Sequence, residues 1–193
     1  GATLDERLPT PYAFNHVIVR ARLAGRDYWL DGTNSNQKGL LSALAQPDFG
    51  WGLPLQSGAQ ALVRMPRQAD DASGWSVVST LDLRGGMDAP AKLSVASLYR
   101  GDSADAMRRD LDAMSRSERE AKYLNYYAAL YPGIRRVSSY EVRDDVARNT
   151  LRIGEDYLVD NIFVRSRGGR ALTLMADQIE PYTHLPGTRL RKT

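Results

Sequence analysis

Three features of the sequence predict an α+β fold. A strand–turn–strand pattern runs from Phe14 to Thr33, two helices with readable starts lie between Asp102 and Pro132, and strands broken by charged turns flank those helices.

Taken in order, Phe14 to Arg22 is rich in β-branched residues, and Ala24-Gly25 supplies a tight turn. Arg26 to Asp31 returns as a strand through Tyr28, Trp29 and Leu30, and Asp31-Gly32-Thr33-Asn34 breaks it. Gln37 to Ala45 is expected to be a short helix, because Leu40, Leu41 and Leu44 fall at helical spacing. A Gly/Pro-rich loop from Gln46 to Ser57 and a short apolar strand from Ala59 to Met65 complete the first segment. Pro66 to Gly74 carries Arg67, Gln68, Asp70, Asp71 and Ser73 with no large apolar residue, which marks a boundary between 1–65 and 66–193.

Beyond that boundary Trp75, Val77, Leu81 and Leu83 alternate with polar residues. The chain turns at Arg84-Gly85-Gly86-Met87, and Leu93, Val95, Ser97 and Tyr99 line one face of a returning strand. Asp102 is placed to cap the first helix, with Met107, Leu111 and Met114 on its apolar side. Ser117 and Glu120 have capping-box spacing for the second, whose Ala121, Leu124, Ala128 and Tyr131 form an apolar stripe. Tyr123, Tyr126, Tyr127 and Tyr131 read as helix packing rather than a ligand platform. Pro132-Gly133 ends the helix, and strands follow from Ile134 to about Ile179, with Arg167-Gly168-Gly169-Arg170 as a hairpin turn.

Composition narrows the function. With 42% hydrophobic and 25% charged residues this is the make-up of an ordinary globular chain, and no apolar run is long enough to span a bilayer. The net charge of +3 arises from 26 basic and 23 acidic residues interspersed along the chain. A nucleic-acid binder would be expected to cluster its basic residues among aromatics, so that class is disfavoured. The absence of cysteine excludes disulfides, thiolate metal sites and a thiol nucleophile within these residues. It does not assign a compartment and is compatible with export to a periplasm. Two histidines are too few for a histidine-rich metal site, and no cofactor motif is present. The chain opens Gly1-Ala2 without an initiator methionine, and is expected to be a portion of a longer polypeptide.

The chemistry-bearing residues are His16 and Asp31. If Ala24-Gly25 is a two-residue turn, Leu23 pairs with Arg26 and Asp31 falls opposite Ile18. His16 is then the diagonal neighbour of Asp31 on one face, close enough for a carboxylate to reach an imidazole nitrogen. A slip of one residue would separate them to opposite faces. Trp29 shares that face and is placed to shield the pair. A carboxylate that orients a histidine suits general-base work. The alternative is a strand histidine that is merely satisfied, with Asp31 capping the turn that follows it. Ser35 and Ser42 lie nearby in sequence without an elbow motif. His184, in Pro181 to Pro186, reads as a surface turn residue, and Arg189 to Thr193 as a solvated end.

The run Phe14-Asn15-His16-Val17-Ile18-Val19, then Gly25, then Tyr28-Trp29-Leu30-Asp31-Gly32-Thr33, resembles the His/Asp half of the transglutaminase-like superfamily. It departs at Gly32, where that family usually has proline. More loosely, the segment from Ala104 to Pro132 is similar to the domain that trails the catalytic core in large bacterial transglutaminase-domain proteins. The resemblance implies that residues 1–65 are the C-terminal part of a papain-like antiparallel sheet and that 66–193 form a trailing β-rich α+β domain with a helical pair. It further implies His16 as base and Asp31 as its orienter, serving an upstream cysteine that attacks a carboxamide or peptide carbonyl of a protein or peptide substrate. By itself the fragment is then inactive. A non-catalytic scaffold that keeps the fold and binds a partner is the competing reading. The apolar hairpin face of Val17, Val19, Ala21, Tyr28 and Leu30 is expected either to drive homodimerisation or to be held against the trailing domain.

Overall fold

The computed structural model describes residues 4–8, 10–34, 36–46, 49–67, 69 and 72–172. Ser35, His184 and the basic end 189–193 lie outside the described residues, as do Gln68, Asp70 and Asp71 of the expected boundary. The fold is α+β: the described residues form eleven strands and two α-helices, preceded by 3-10 turns at Leu4–Glu6 and Pro11–Ala13.

Strands β1 (Val19–Leu23) and β2 (Arg26–Leu30) form an antiparallel hairpin in the register expected from a two-residue turn, with Leu23 opposite Arg26 and Val19 opposite Leu30. Ala24 and Gly25 both take positive φ, +48° and +78°, as the tight hairpin turns that match strand twist require. The hairpin is shorter than the sequence suggests. Residues 14–18 lie outside β1, because Asp31 leaves β2 to enter a turn and offers them no strand partner.

The helix expected from Gln37 to Ala45 is not formed. Turns occupy 41–43, with a single helical-type bond from the Leu44 amide to the Leu40 carbonyl (3.0 Å). Gly39 sits at φ +127°, outside helical space, and nine residues are too few to overcome the nucleation penalty of a helix. Backbone groups of this segment find partners elsewhere: the Lys38 amide donates to Asp105 Oδ1 (3.1 Å) and the Leu40 amide to the Ala147 carbonyl (3.4 Å). The loop and strand read between Gln46 and Met65 resolve into two paired dipeptides, β3 (Trp51–Gly52) and β4 (Val63–Arg64).

Five strands build the main sheet. They are β5 (Gly74–Asp82), β6 (Ala91–Arg100), β7 (Ile134–Arg136), β8 (Glu141–Asp145) and β9 (Thr150–Val159), in the order β5-β6-β9-β7. Strand β8 also pairs with β9, along residues 150–154, whereas β7 pairs along 157–159. A further hairpin joins β10 (Phe163–Ser166) to β11 (Gly169–Leu172) across the expected glycine turn. Alternation sets the buried face of the sheet. Ala91, Leu93, Val95 and Ser97 of β6 are buried, as are Leu151, Ile153, Tyr157 and Val159 of β9.

Helices α1 (Asp102–Ala113) and α2 (Arg116–Leu130) occupy the expected stretches, but their caps differ from the expectation. Asp102 is the first helical residue of α1 rather than its cap, and its amide is capped from outside by Ser73 Oγ (3.0 Å). The cap position is Gly101, at φ +54°; a Cβ there would stand 2.6 Å from the Ala72 carbonyl oxygen, so only glycine fits. The capping box of α2 is Ser115 with Glu118, two residues earlier than Ser117 with Glu120. The Ser115 amide donates to Glu118 Oε2 (2.7 Å) and the Glu118 amide to Ser115 Oγ (3.3 Å). Glu120 is thereby freed to pair with Arg136 (2.9 Å). Of the predicted stripe on α2, Ala121 is exposed. The tyrosines serve packing: Tyr127 lies 5.2 Å from the Tyr157 ring and 4.9 Å from that of Tyr126.

The described residues fall into two compact units. One draws on Gly1–Val78, Val95–Arg119 and Tyr140–Glu155, the other on Ser79–Ser94, Glu120–Ser139 and Asp156–Thr193. The described residues of 1–65 thus share a unit with α1 and β8. Within that unit the buried cation is Arg108, 3% exposed, which donates to Asp105 (2.8 Å), Asn149 (2.6 Å) and Asp144 (2.7 Å). Asp105 and Asn149 are each 1% exposed. Burial opposes the charge on Arg108, but bonds and charges from Asp144 and Asp105 outweigh it and hold the guanidinium above its ordinary pKa.

Replacing Arg108 with Met would leave a buried carboxylate and amide without their donor, at a cost of about 3–5 kcal/mol. Urea unfolding of Arg108→Met is expected to show that loss, and amide exchange should accelerate at Lys38 and Leu40. A loss below about 1 kcal/mol would show the network to be dispensable.

Candidate functional site

The two residues singled out from sequence are in contact. His16 Nε2 lies 2.8 Å from Asp31 Oδ2, with side-chain exposures of 34% and 18%. The hairpin register brings them together, since each lies just beyond the paired ends of β1 and β2. The Thr33 amide and hydroxyl both donate to the other carboxylate oxygen, Oδ1, at 2.9 and 2.7 Å. Asp31 thus meets the imidazole with one oxygen and caps the turn that follows it with the other.

These bonds favour the ionised carboxylate. The Thr33 hydroxyl and amide, followed by His16, hold Asp31 below its ordinary pKa of 3.8 against a smaller opposing effect of burial. With Nε2 on the carboxylate, the remaining ring nitrogen Nδ1 has no hydrogen-bond partner among the described residues. A histidine so held can accept a proton at Nδ1 while the carboxylate stabilises the resulting imidazolium.

Phe49 packs on the imidazole, ring centroids 5.6 Å apart. A lone aromatic in a Gly/Pro loop carries no periodicity from which the sequence could indicate what it covers. Trp29, the shield expected from sequence, is 7% exposed, and its backbone amide donates to Gln46 Oε1 (2.7 Å). The Arg20 guanidinium lies over the Trp29 ring at 5.5 Å. The apolar face of the hairpin is open at Val17 and Val19, 69% and 61% exposed.

The loop after Asp31 is anchored within the same unit. Asn34 Oδ1 accepts from Arg109 Nη1 (3.3 Å), the Asn34 amide donates to the Asp31 carbonyl (3.1 Å), and Lys38 reaches Asp105. Neither Thr33, turned to Asp31, nor Ser42 bonds to His16. Among the described residues no group of three or more His, Cys, Asp or Glu side chains could hold a metal ion, and no helix is long and apolar enough to cross a membrane. Comparison with known proteins finds no matching family model, no matching curated protein and no matching solved structure.

Because the folded-state pKa of Asp31 is lowered, its contribution to stability is present above the ordinary carboxylate pKa and lost as pH falls through the depressed folded value. A carbon-detected NMR titration is expected to place its midpoint below 3.8 and to move it upward in Thr33→Val. A midpoint at or above 3.8 in the unmodified chain would contradict this bonding.

Proposed function

We propose that His16 and Asp31 are the base and orienting acid of a cysteine-dependent acyl-transfer or amide-hydrolysis site of the transglutaminase type. Its nucleophile is supplied from outside these 193 residues. The observation that carries the reading is the 2.8 Å contact between His16 Nε2 and Asp31 Oδ2, with Oδ1 fixed by Thr33 and Nδ1 open. In such a site the imidazole takes the thiol proton and the thiolate attacks a carboxamide or peptide carbonyl; the imidazolium gives the proton to the departing ammonia or amine as the C–N bond breaks, and an incoming amine or water, deprotonated by the imidazole, resolves the acyl-enzyme and releases the thiol. Asp31 keeps the tautomer and ring orientation through both steps. Thr33 serves as a positioning residue, since its two bonds prevent the carboxylate from rotating away.

A second reading, a non-catalytic scaffold that binds a protein partner, is favoured by the lack of any cysteine and by the exposed apolar residues of β1. The two readings divide on the sequence that precedes Gly1 in a longer polypeptide. A cysteine at a helix start there, where backbone amides stabilise a thiolate, belongs to the enzyme; its absence belongs to the scaffold.

The isolated 193-residue chain is expected to show no amidase, peptidase or cross-linking activity above a buffer blank. A polypeptide extended to include such a cysteine should turn over carboxamide substrates and lose about 10²–10⁴-fold in kcat on His16→Ala. Turnover by the isolated chain that survives a thiol alkylator and vanishes in His16→Ala would refute the cysteine mechanism.

A further inference from the structure

On the sheet face opposite the buried one lies a cleft of about 570 Å³, within the size range of small-molecule sites. Four arginines line it: Arg100 from β6, Arg152 from β9, Arg143 from β8 and Arg148 from the turn that follows β8. Strand alternation accounts for the gathering. Arg100 and Leu98 share a face of β6, as Arg152 and Thr150 do on β9 and Arg143 and Asp145 on β8. The Gly101 amide donates to the Asn149 carbonyl (3.0 Å), which brings the end of β6 beside the start of β9.

The register makes the placement costly. Arg143 and Arg152 are direct cross-strand partners, and like charges in that relation repel. Their countercharges do not cancel the field. Arg143 pairs with Glu141 (2.9 Å) and Arg148 with Asp145 (2.8 Å); both arginines and Glu141 are exposed and Asp145 is half-buried, so the pairing contributes little. Asp144 also lines the cleft, but its carboxylate is bonded to Arg108. Neither Arg100 nor Arg152 has a carboxylate partner among the described residues.

We propose that this cleft binds a small polyvalent phosphate, held by Arg100 and Arg152 at its centre and by Arg143 and Arg148 at its rim. An oxoanion between Arg143 and Arg152 turns a repulsive pair into two charge-assisted donors, and a guanidinium's planar fork matches phosphate oxygens in pairs. The Thr150 hydroxyl adds a neutral donor, and Leu98 gives an apolar floor. Glu141 and Asp145 are local partners that Arg143 and Arg148 can exchange for the ligand at small cost. A free inorganic polyphosphate and the phosphate tail of a nucleotide share this chemistry. The site is independent of His16 and Asp31.

The test is calorimetric and NMR titration of the full chain with inorganic tripolyphosphate, repeated with a nucleoside triphosphate and with a single-stranded oligonucleotide. The expected result is saturable one-to-one binding of tripolyphosphate, with amide shifts confined to the neighbourhood of Arg100, Arg143 and Arg152. Arg100→Gln and Arg152→Gln should each weaken it tenfold or more, and Arg22→Gln, on the β1–β2 hairpin and not among the residues that line the cleft, should not. A nucleoside triphosphate binding more tightly by tenfold assigns the nucleotide as source; equal affinity assigns the phosphate chain alone. A second signature separates a site from a solvated surface: Arg152→Gln should raise or preserve the thermal midpoint of the free protein while abolishing its rise with tripolyphosphate. Non-saturable binding, equal weakening by Arg22→Gln, or tighter binding of the oligonucleotide than of tripolyphosphate would overturn the proposal.

Discussion

The unit that carries His16 and Asp31 depends on a buried cation. Arg108 on α1 is enclosed among Asp105, Asp144 and Asn149, and its charge is satisfied by groups from α1, β8 and the turn before β9. Enclosing a guanidinium without such partners would cost several kcal/mol, so the helix and the two strands must be in register with each other for the unit to form. Asp105 extends the constraint to the segment after Asp31, because its carboxylate also receives the Lys38 amide. Asn149 adds to it from the turn, at a φ of +48°, with its side chain committed on both sides. Buried Ala104 on the same helix and the bond from the Gly101 amide to the Asn149 carbonyl (3.0 Å) act with this network to fix which helix face meets the strands.

The same anchoring gives the candidate site its stiffness. A histidine on a strand end and an aspartate in a loop would ordinarily sample many separations. Here the loop from Asp31 is tied by Thr33 at one oxygen, by Asn34 to Arg109, and by Lys38 to Asp105. The geometry of the pair is thus set by the packing of α1, more than seventy residues later in the sequence.

Local rules made part of this legible. Ala24-Gly25 is a turn dipeptide, so the hairpin register and the meeting of His16 with Asp31 could be counted from it. The strands around Gly85-Gly86 and Gly168-Gly169 and the two helices were readable for the same reason: period and punctuation lie within a few residues. What escaped was decided at long range. Gln37 to Ala45 has helical spacing, yet its backbone amides are claimed by Asp105 and Ala147. Asp105 and Arg108 look like an ordinary exposed i, i+3 pair, and nothing nearby announces that Asp144 and Asn149 will bury them. The sequence Ser115-Arg116-Ser117-Glu118-Arg119-Glu120 contains two overlapping capping boxes, and Glu120 is drawn off by Arg136. The four arginines of the cleft come from three strands and a turn, so their clustering is invisible to any window along the chain.

The pairing of β7 and β8 with successive stretches of β9 has a bearing on how the sheet meets other chains. One margin is made of two short strands, Ile134–Arg136 and Glu141–Asp145, interrupted between them; the Val137 amide, bonded to the Asp156 carbonyl (3.0 Å), carries the β7–β9 ladder one residue further before the break. A foreign strand finds no continuous row of free amides and carbonyls along that margin, and β8 presents charged Glu141, Arg143, Asp144 and Asp145. The opposite margin is the nine-residue β5, uninterrupted, with Trp75 54% and Val78 63% exposed. Among the described residues, the sheet margin that offers an incoming strand an uninterrupted partner is therefore that of β5.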